Sequence, residues 1–312
     1  MLLPTCFLFG VLHLTPFVQA VGFPPLDDTR VKQVFGWKQI DFKFASPKAR
    51  AEAISSGEFN PSDVHVAGVH VAGNRVFLSM PRWKPKGIPA TLAFVEYPSR
   101  DAAPPLTPYP DWASQKVGQC QGLTSVFRVT TDECGRLWVL DTGIASSVEH
   151  EYTRMCPAKV LTFDLKTDKL VNTFILKDEV SLDGRILVGF VKKYVLQEAV
   201  RNESLPVNIK VEYPKGTCGS PKDAFLYIAD TASFAIIVAD LSTDQSWRII
   251  QKTVLPDPDA STFHVGKETF EMMNGVMGMA LSMKRIKRAL LGIFLKKKKT
   301  IAWISLWSFI FI

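Results

Sequence analysis

A β-rich run ending in Asp-Thr occurs twice in this chain, as LWVLDTG at residues 137–143 and LYIADTA at 226–232. Each copy is followed by a second run that closes on a shared signal, FDLKTD at 163–168 and ADLSTD at 239–244. A weaker third copy precedes them, RVFLSM at 75–80 followed by LAFVEY at 92–97. One hairpin cannot bury its own apolar face, so a repeated hairpin unit must pack on its neighbours. Unequal loops between the copies point to a radial or stacked β architecture, above all a propeller.

Between residues 21 and 282 the punctuation is that of an all-β protein. Pro and Gly clusters at 23–25, 81–87 and 104–110 separate short runs of Val, Ile, Leu, Phe and Tyr. Read as blades, the first uses Val69–Val71, Val76–Met80 and Leu92–Tyr97. The second uses Ser125–Thr130, Leu137–Asp141, Val160–Asp164 and Leu170–Ile175. The third uses Phe225–Ala229, Ala235–Asp240 and Trp247–Ile250, and a fourth begins at Gly275–Ser282. One helix is expected over Ser46–Ile54, from an N-cap serine, a proline at the first helical position and good helix formers behind it. The period is not fixed. Leu137 to Leu226 spans 89 residues and Asp164 to Asp240 spans 76, the difference falling in the connection Gly143–Ala158. Irregular loops on a regular frame are where binding functions sit. About three to three and a half blades do not close a ring, which takes roughly four to eight. The expectation is therefore an incomplete propeller with an uncovered edge.

The ends carry different signals. Leu2 to Val18 is apolar and uncharged, and Ala20 offers a small residue for cleavage, so residues 1–20 read as a secretory signal. Cys6 would leave with it. Cys120, Cys134, Cys156 and Cys218 remain, an even number that favours disulfides in an exported chain. Of the three connectivities, Cys134–Cys156 with Cys120–Cys218 is preferred, since it ties consecutive strands of one repeat and equivalent places in neighbouring repeats. Asn202 heads an N-glycosylation sequon, whereas proline disqualifies the one at Asn60. The net charge of +7 belongs to residues 283–312, which hold eight Lys and Arg and no acid. The remainder has 29 basic against 30 acidic residues and offers nothing to nucleic acid. Thr300–Ile312 is too short to span a bilayer, for which roughly 20 residues are needed, and lacks the spacer of a GPI signal. The segment 283–312 reads as foreign to the repeat domain, of the kind produced by intron read-through or a gene-model error, in preference to a basic membrane-surface segment. No firm membrane partner follows.

The run CQGLTSVFR at 120–128, DECGRLWVLDTG at 132–143 and CPAKVLTFD at 156–164 resembles the insect yellow / major royal jelly protein family. FGWK at 35–38, NRVFLSMPRW at 74–83, AFLYIAD at 224–230 and GVMGMALS at 275–282 extend the resemblance over about residues 30–282. It implies a secreted six-bladed β-propeller, and a role in the melanin and catecholamine pigmentation of insect cuticle. Some members are dopachrome-converting, an isomerase-type activity; others are nutritive or salivary amine-binding secretions.

A propeller takes ligands at the mouth of its channel. The residues expected there are Arg82, Trp83, Phe127, Arg128, Asp141, Thr142, Asp230 and Thr231. Aromatic faces beside a few carboxylates suit a small aromatic amine, catechol or quinone. The plain alternative for each Asp-Thr is a turn cap, the carboxylate accepting backbone N–H groups, and for Trp83, Trp138 and Phe127 an ordinary core position. His65 and His70 flank a strand, His150 and His264 fall in loops, and none has metal-ligand spacing. No G-x-S-x-G, P-loop or G-x-G-x-x-G is present. No catalytic constellation, cofactor or metal follows from the residues themselves.

Overall fold

The computed structural model describes residues 32–146, 153–177, 204–216, 218–271, 273–281 and 290–293. The expected signal at 1–20, the Asn202 sequon, His150 and all of 283–312 except 290–293 lie outside the described residues. The chain divides into two units, Met1–Gly36 and Trp37–Ile312, and the strands below belong to the second.

The described residues are mostly strand. The helix α1 (Pro47–Ser55) comes first, with Ser46 Oγ accepting the Ala49 N–H at 3.1 Å as the cap that the sequence predicts. A first sheet follows, a meander of β1 (Gly68–Ala72), β2 (Arg75–Ser79), β3 (Leu92–Glu96) and β4 (Thr107–Pro108). The second sheet is built from β5 (Val126–Thr131) and β6 (Arg136–Asp141), then, after the short pair β7 (Ile144–Ala145) and β8 (Thr153–Arg154), from β9 (Lys159–Asp164) and β10 (Leu170–Ile175). The third is β11 (Pro206–Glu212), β12 (Phe225–Asp230), β13 (Ala235–Asp240) and β14 (Gln245–Ile249). Two hairpins complete the chain, β15 (Thr262–Val265) with β16 (Glu268–Glu271), and β17 (Gly278–Leu281) with β18 (Leu290–Ile293). All these pairings are antiparallel, and among the described residues no sheet closes on itself. No helix among them is long and apolar enough to cross a membrane.

The sequence repeats become turns of one geometry. Asp164 Oδ1 accepts the N–H groups of Lys166 and Thr167, both at 2.9 Å, and Asp240 Oδ1 accepts that of Ser242 at 2.9 Å. Asp168 and Asp244 then take the left-handed conformation, φ 54° and 53°, which aspartate tolerates better than most residues. Each D-L-x-T-D segment therefore reverses the chain in the same way.

Each sheet packs on the next. Phe77 and Leu92 of the first sheet meet Val126, Leu137, Val139, Leu161 and Phe163 of the second. Trp138, Leu140, Val160 and Phe174, on the second sheet's other face, meet Ile209, Leu226, Ile228 and Ile237 of the third. Tyr227, Ala229, Ile236 and Val238 meet Val276 and Met279 at β17. Successive residues of β6 thus serve opposite cores, and all six are buried, which is why the strand reads as a continuous apolar run rather than an alternation. The first strands lie side by side, β1 on β5, β5 on β11 and β11 on β17.

Arginines at the start of equivalent strands cross between sheets. Arg75 reaches Asp168 Oδ1 at 2.8 Å and Leu165 O at 2.6 Å, over the Phe77 ring at 5.3 Å. Arg136 reaches Gly219 O at 2.8 Å and the Tyr213 hydroxyl at 2.5 Å, while its Nε pairs with Asp132 at 2.8 Å.

All four body cysteines form disulfides, but the pairing corrects the sequence expectation. Cys120 joins Cys156 and Cys134 joins Cys218, with Cα separations of 5.3 and 5.9 Å. The register explains this. Arg136 lies opposite Asp164 and Asp141 opposite Lys159, so Cys134 and Cys156 fall at opposite ends of β6 and β9. A six-residue strand is about 17 Å long, far beyond a disulfide's reach. Three further expectations change. β11 was not anticipated, β14 starts two residues earlier than Trp247, and His264 sits on β15, with Nδ1 2.9 Å from Thr269 Oγ1, rather than in a loop.

Two outcomes follow. Non-reducing peptide mapping should recover a peptide joined through Cys120–Cys156 and another through Cys134–Cys218, without the crossed species. Gly143 has φ 70°, and a Cβ there would stand 1.8 Å from Cys156 O, whereas Gly135 has φ 73° and open space. Gly135→Ala should cost about 1–2 kcal/mol, the left-handed penalty alone; Gly143→Ala should cost more than that in urea denaturation, because backbone must move.

Candidate functional site

The aspartates that end β6 and β12 are both fully buried. Asp141 accepts the N–H of Thr124 at 2.8 Å, of Ser125 at 2.7 Å and of Gly143 at 3.0 Å, and pairs with Lys159 Nζ at 2.7 Å. Asp230 accepts the N–H of Leu205 at 3.0 Å and of Ser233 at 3.2 Å, and pairs with Arg248 Nη2 at 2.8 Å. Each carboxylate therefore fastens three things: the entry to its sheet's first strand, the turn that follows, and a cation from a later strand. This is the turn-cap role, with a buried ion pair added.

Their threonine neighbours extend the pattern. Thr142 N–H donates to Ser125 O at 2.9 Å, and Thr231 N–H to Leu205 O at 3.2 Å. Thr231 O accepts Gly275 N–H at 2.8 Å, carrying the network on toward β17. Thr231 Oγ1 is buried with no hydrogen-bond partner among the described residues. Arg154 spans the second and third sheets, donating to Thr142 O at 2.8 Å and Ser204 O at 3.0 Å, and Arg248 Nη1 donates to Ser204 Oγ at 3.1 Å.

Arg82 anchors the other end. Its guanidinium is buried and donates to the carbonyls of Ile88, Pro89, Gln115, Leu123 and Thr124. Burial pushes its pKa down to about 10, opposed by the nearby charges of Asp141 and Glu58. Trp83 and Phe127 meet edge to face at 5.2 Å, and both pack in the apolar cluster of Val207 and Tyr227. Arg128 stands apart, exposed on β5.

The structure thus brings Arg82, Asp141, Thr142, Asp230 and Thr231 into one rim of hydrogen bonds across the sheets, with Trp83 and Phe127 as a packed pair. Both carboxylates are occupied by donors, so as they stand neither is placed to take a proton from a ligand. Lys159, Arg154 and Arg248, which hold the rim together, escape a sequence reading. Lys159 is itself buried at the start of a strand that continues with Val160 and Leu161, the one local hint that a buried acid awaits it. Asp132, Cys134 and Cys218 place donor atoms within 4.8 Å of one another. They do not fit a metal, because both sulfurs are in a disulfide and Asp132 already receives Arg136, Trp138 Nε1 at 2.8 Å and Tyr213 at 3.1 Å. Two open cavities, of about 140 and 200 Å³, lie elsewhere: one at Lys43, Glu96 and Ser99, the other at Asp111, Gln121 and Asp168.

The Major royal jelly protein family profile matches residues 124–291, the stretch that holds both Asp-Thr ties. The chain belongs to this family. Among its relatives, Dopaminechrome tautomerase of Drosophila melanogaster is 30% identical over 257 residues, covering 81% of this chain and 50% of that protein. Protein yellow of Drosophila melanogaster is 33% identical over 258 residues, covering 81% and 43%. Protein yellow of Drosophila guanche is 34% identical over 276 residues, covering 87% and 44%. This royal jelly family member spans about half the length, or less, of these curated relatives. A chain of Kuenenia stuttgartiensis hydrazine synthase is similar over 74% of this chain and 46% of that one, at 14% identity and a TM-score of 0.33, too low to argue a shared fold.

If the rim holds the sheets together, Asp141→Asn should lower stability by about 3–5 kcal/mol, since it strands a buried lysine. Adding Lys159→Met should recover part of that loss, a coupling of about 0.5–3 kcal/mol in a urea-denaturation double-mutant cycle.

Proposed function

We propose that this chain is a secreted yellow-type protein that acts on or with catecholamine-derived quinones of the melanin pathway. The observation that carries this reading is the match to Protein yellow and to Dopaminechrome tautomerase, each over 81% of the chain. Secretion is supported by the apolar N-terminal run and by two disulfides, which persist in oxidising compartments. The frame we propose is a β-propeller, with the three four-stranded sheets and β17–β18 as successive blades. Supporting it are the common strand order, the adjoining first strands and the burial of both faces of the second and third sheets.

A second reading, tautomerisation of an aminochrome, is favoured by the tautomerase relative specifically. Its chemistry is a proton removed from one carbon and returned at another site, so it requires an acid–base group with a free lone pair. The rim aspartates do not supply one, and a catalytic version of this protein must use other residues.

Dopaminechrome, supplied to the purified chain, separates the two. Loss of its visible absorbance at a rate proportional to protein and above buffer supports the tautomerase. Saturable quenching of tryptophan fluorescence without turnover supports binding. Absence of both responses would overturn the catecholamine reading.

A further inference from the structure

Among the described residues, most buried cations are answered by a defined partner. Lys159 has Asp141, Arg248 has Asp230, Arg136 has Asp132, and Arg82 has five carbonyls. Three basic residues on the adjoining first strands have no such partner, the half-buried His70 and Lys210 and the exposed Arg128. His70 is on β1, opposite Phe77; Lys210 is on β11, opposite Tyr227; these are equivalent places in the repeat. On β5 the register slips between Val126 and Val129, and the bulge presents Arg128.

The strands are close enough for these side chains to share one locality. A Cβ on Gly68 would meet Ser79 Oγ at 2.5 Å, Phe127 O at 2.7 Å and Arg128 Cδ at 3.1 Å, so the absence of a side chain at Gly68 lets the arginine stem lie across β1. Two residues along, His70 Nε2 is 2.9 Å from Thr131 Oγ1 on β5. Lys210 and His70 are half-buried. Burial, then the charge of Arg128, hold the lysine below its ordinary range; burial, then the charge of Lys210, hold the histidine below its own. Among the described residues no carboxylate forms an ion pair with any of the three. Glu212, two residues beyond Lys210, accepts the Tyr227 hydroxyl at 2.8 Å.

The charges of the half-buried Lys210 and the exposed Arg128 beside it repel each other unless something of opposite sign joins them. We propose that His70, Arg128 and Lys210 form a binding site for the carboxylate of a small organic ligand. The guanidinium fork matches the two carboxylate oxygens, and the ammonium adds a point charge beside them. His70, its Nε2 engaged by Thr131 Oγ1, has Nδ1 as the ring nitrogen that can meet the ligand. A free ammonium group is repelled at this place, so a simple aromatic amine is the wrong ligand for it. The inference does not depend on the pigmentation reading.

The test is calorimetric titration of the full chain with indole-2-carboxylate and with its neutral amide, indole-2-carboxamide. The carboxylate should bind more tightly by about tenfold or more, as expected for hydrogen bonds to a charged group, and should weaken as salt is raised. Arg128→Gln and Lys210→Met should each remove most of that preference while leaving the thermal midpoint close to that of the parent. Arg128 is exposed, so its replacement does not threaten folding. Equal affinity for acid and amide, no binding of the acid, or unchanged affinity in both variants would overturn the site. Because neither probe is a quinone, the result is independent of the dopaminechrome assay.

Discussion

The buried aspartate that ends the second strand of both the second and the third sheet is the tie on which the stacked arrangement rests. Asp141 and Asp230 each lock the start of one strand, the turn after another and a basic side chain from a third. Such a carboxylate is costly to desolvate, and it is tolerated because every donor around it is already aimed inward. Around these points the apolar faces meet, with β6 and β12 feeding one core on each side. The first sheet has no such aspartate. Met80 stands at the equivalent place in the repeat, and the nearby Arg82, donating to backbone carbonyls, takes over the fastening.

How much of this could be read from the residues depended on range. The Asp-Thr and D-L-x-T-D repeats are local signals, and they located most strands of the three sheets and the turns between them. The N-cap at Ser46 was local too. β11 was missed although Val207 to Glu212 alternates apolar and polar residues, the period-2 signal of a strand, because it follows a long connection and carries none of the Asp-Thr marks by which the repeats are recognised. The cysteine pairing failed for a related reason. Which end of a sheet a residue reaches depends on register, and Cys134 and Cys156 seem adjacent only until Arg136 is set opposite Asp164.

The candidate site divides along the same line. Residues chosen because they repeat turned out to build the frame, as Asp141 and Asp230 show. A feature that two modules share answers a need that both have, which is to hold a neighbour. Positions that differ between modules are freer to serve a ligand. His70 and Lys210 occupy one place in the repeat with different chemistry, while the second sheet breaks its register to present Arg128. The counterions Lys159 and Arg248 remained hidden because their partners lie 18 residues away in each case, on strands whose pairing only the fold reveals.

The Cys134–Cys218 bridge has a topological effect of its own. It joins the second sheet to the third across a sequence separation of 84 residues. A single peptide-bond cleavage anywhere inside that stretch would yield two fragments that stay covalently attached. A nicked molecule would keep its mass on a non-reducing gel and part only when the sulfurs are reduced.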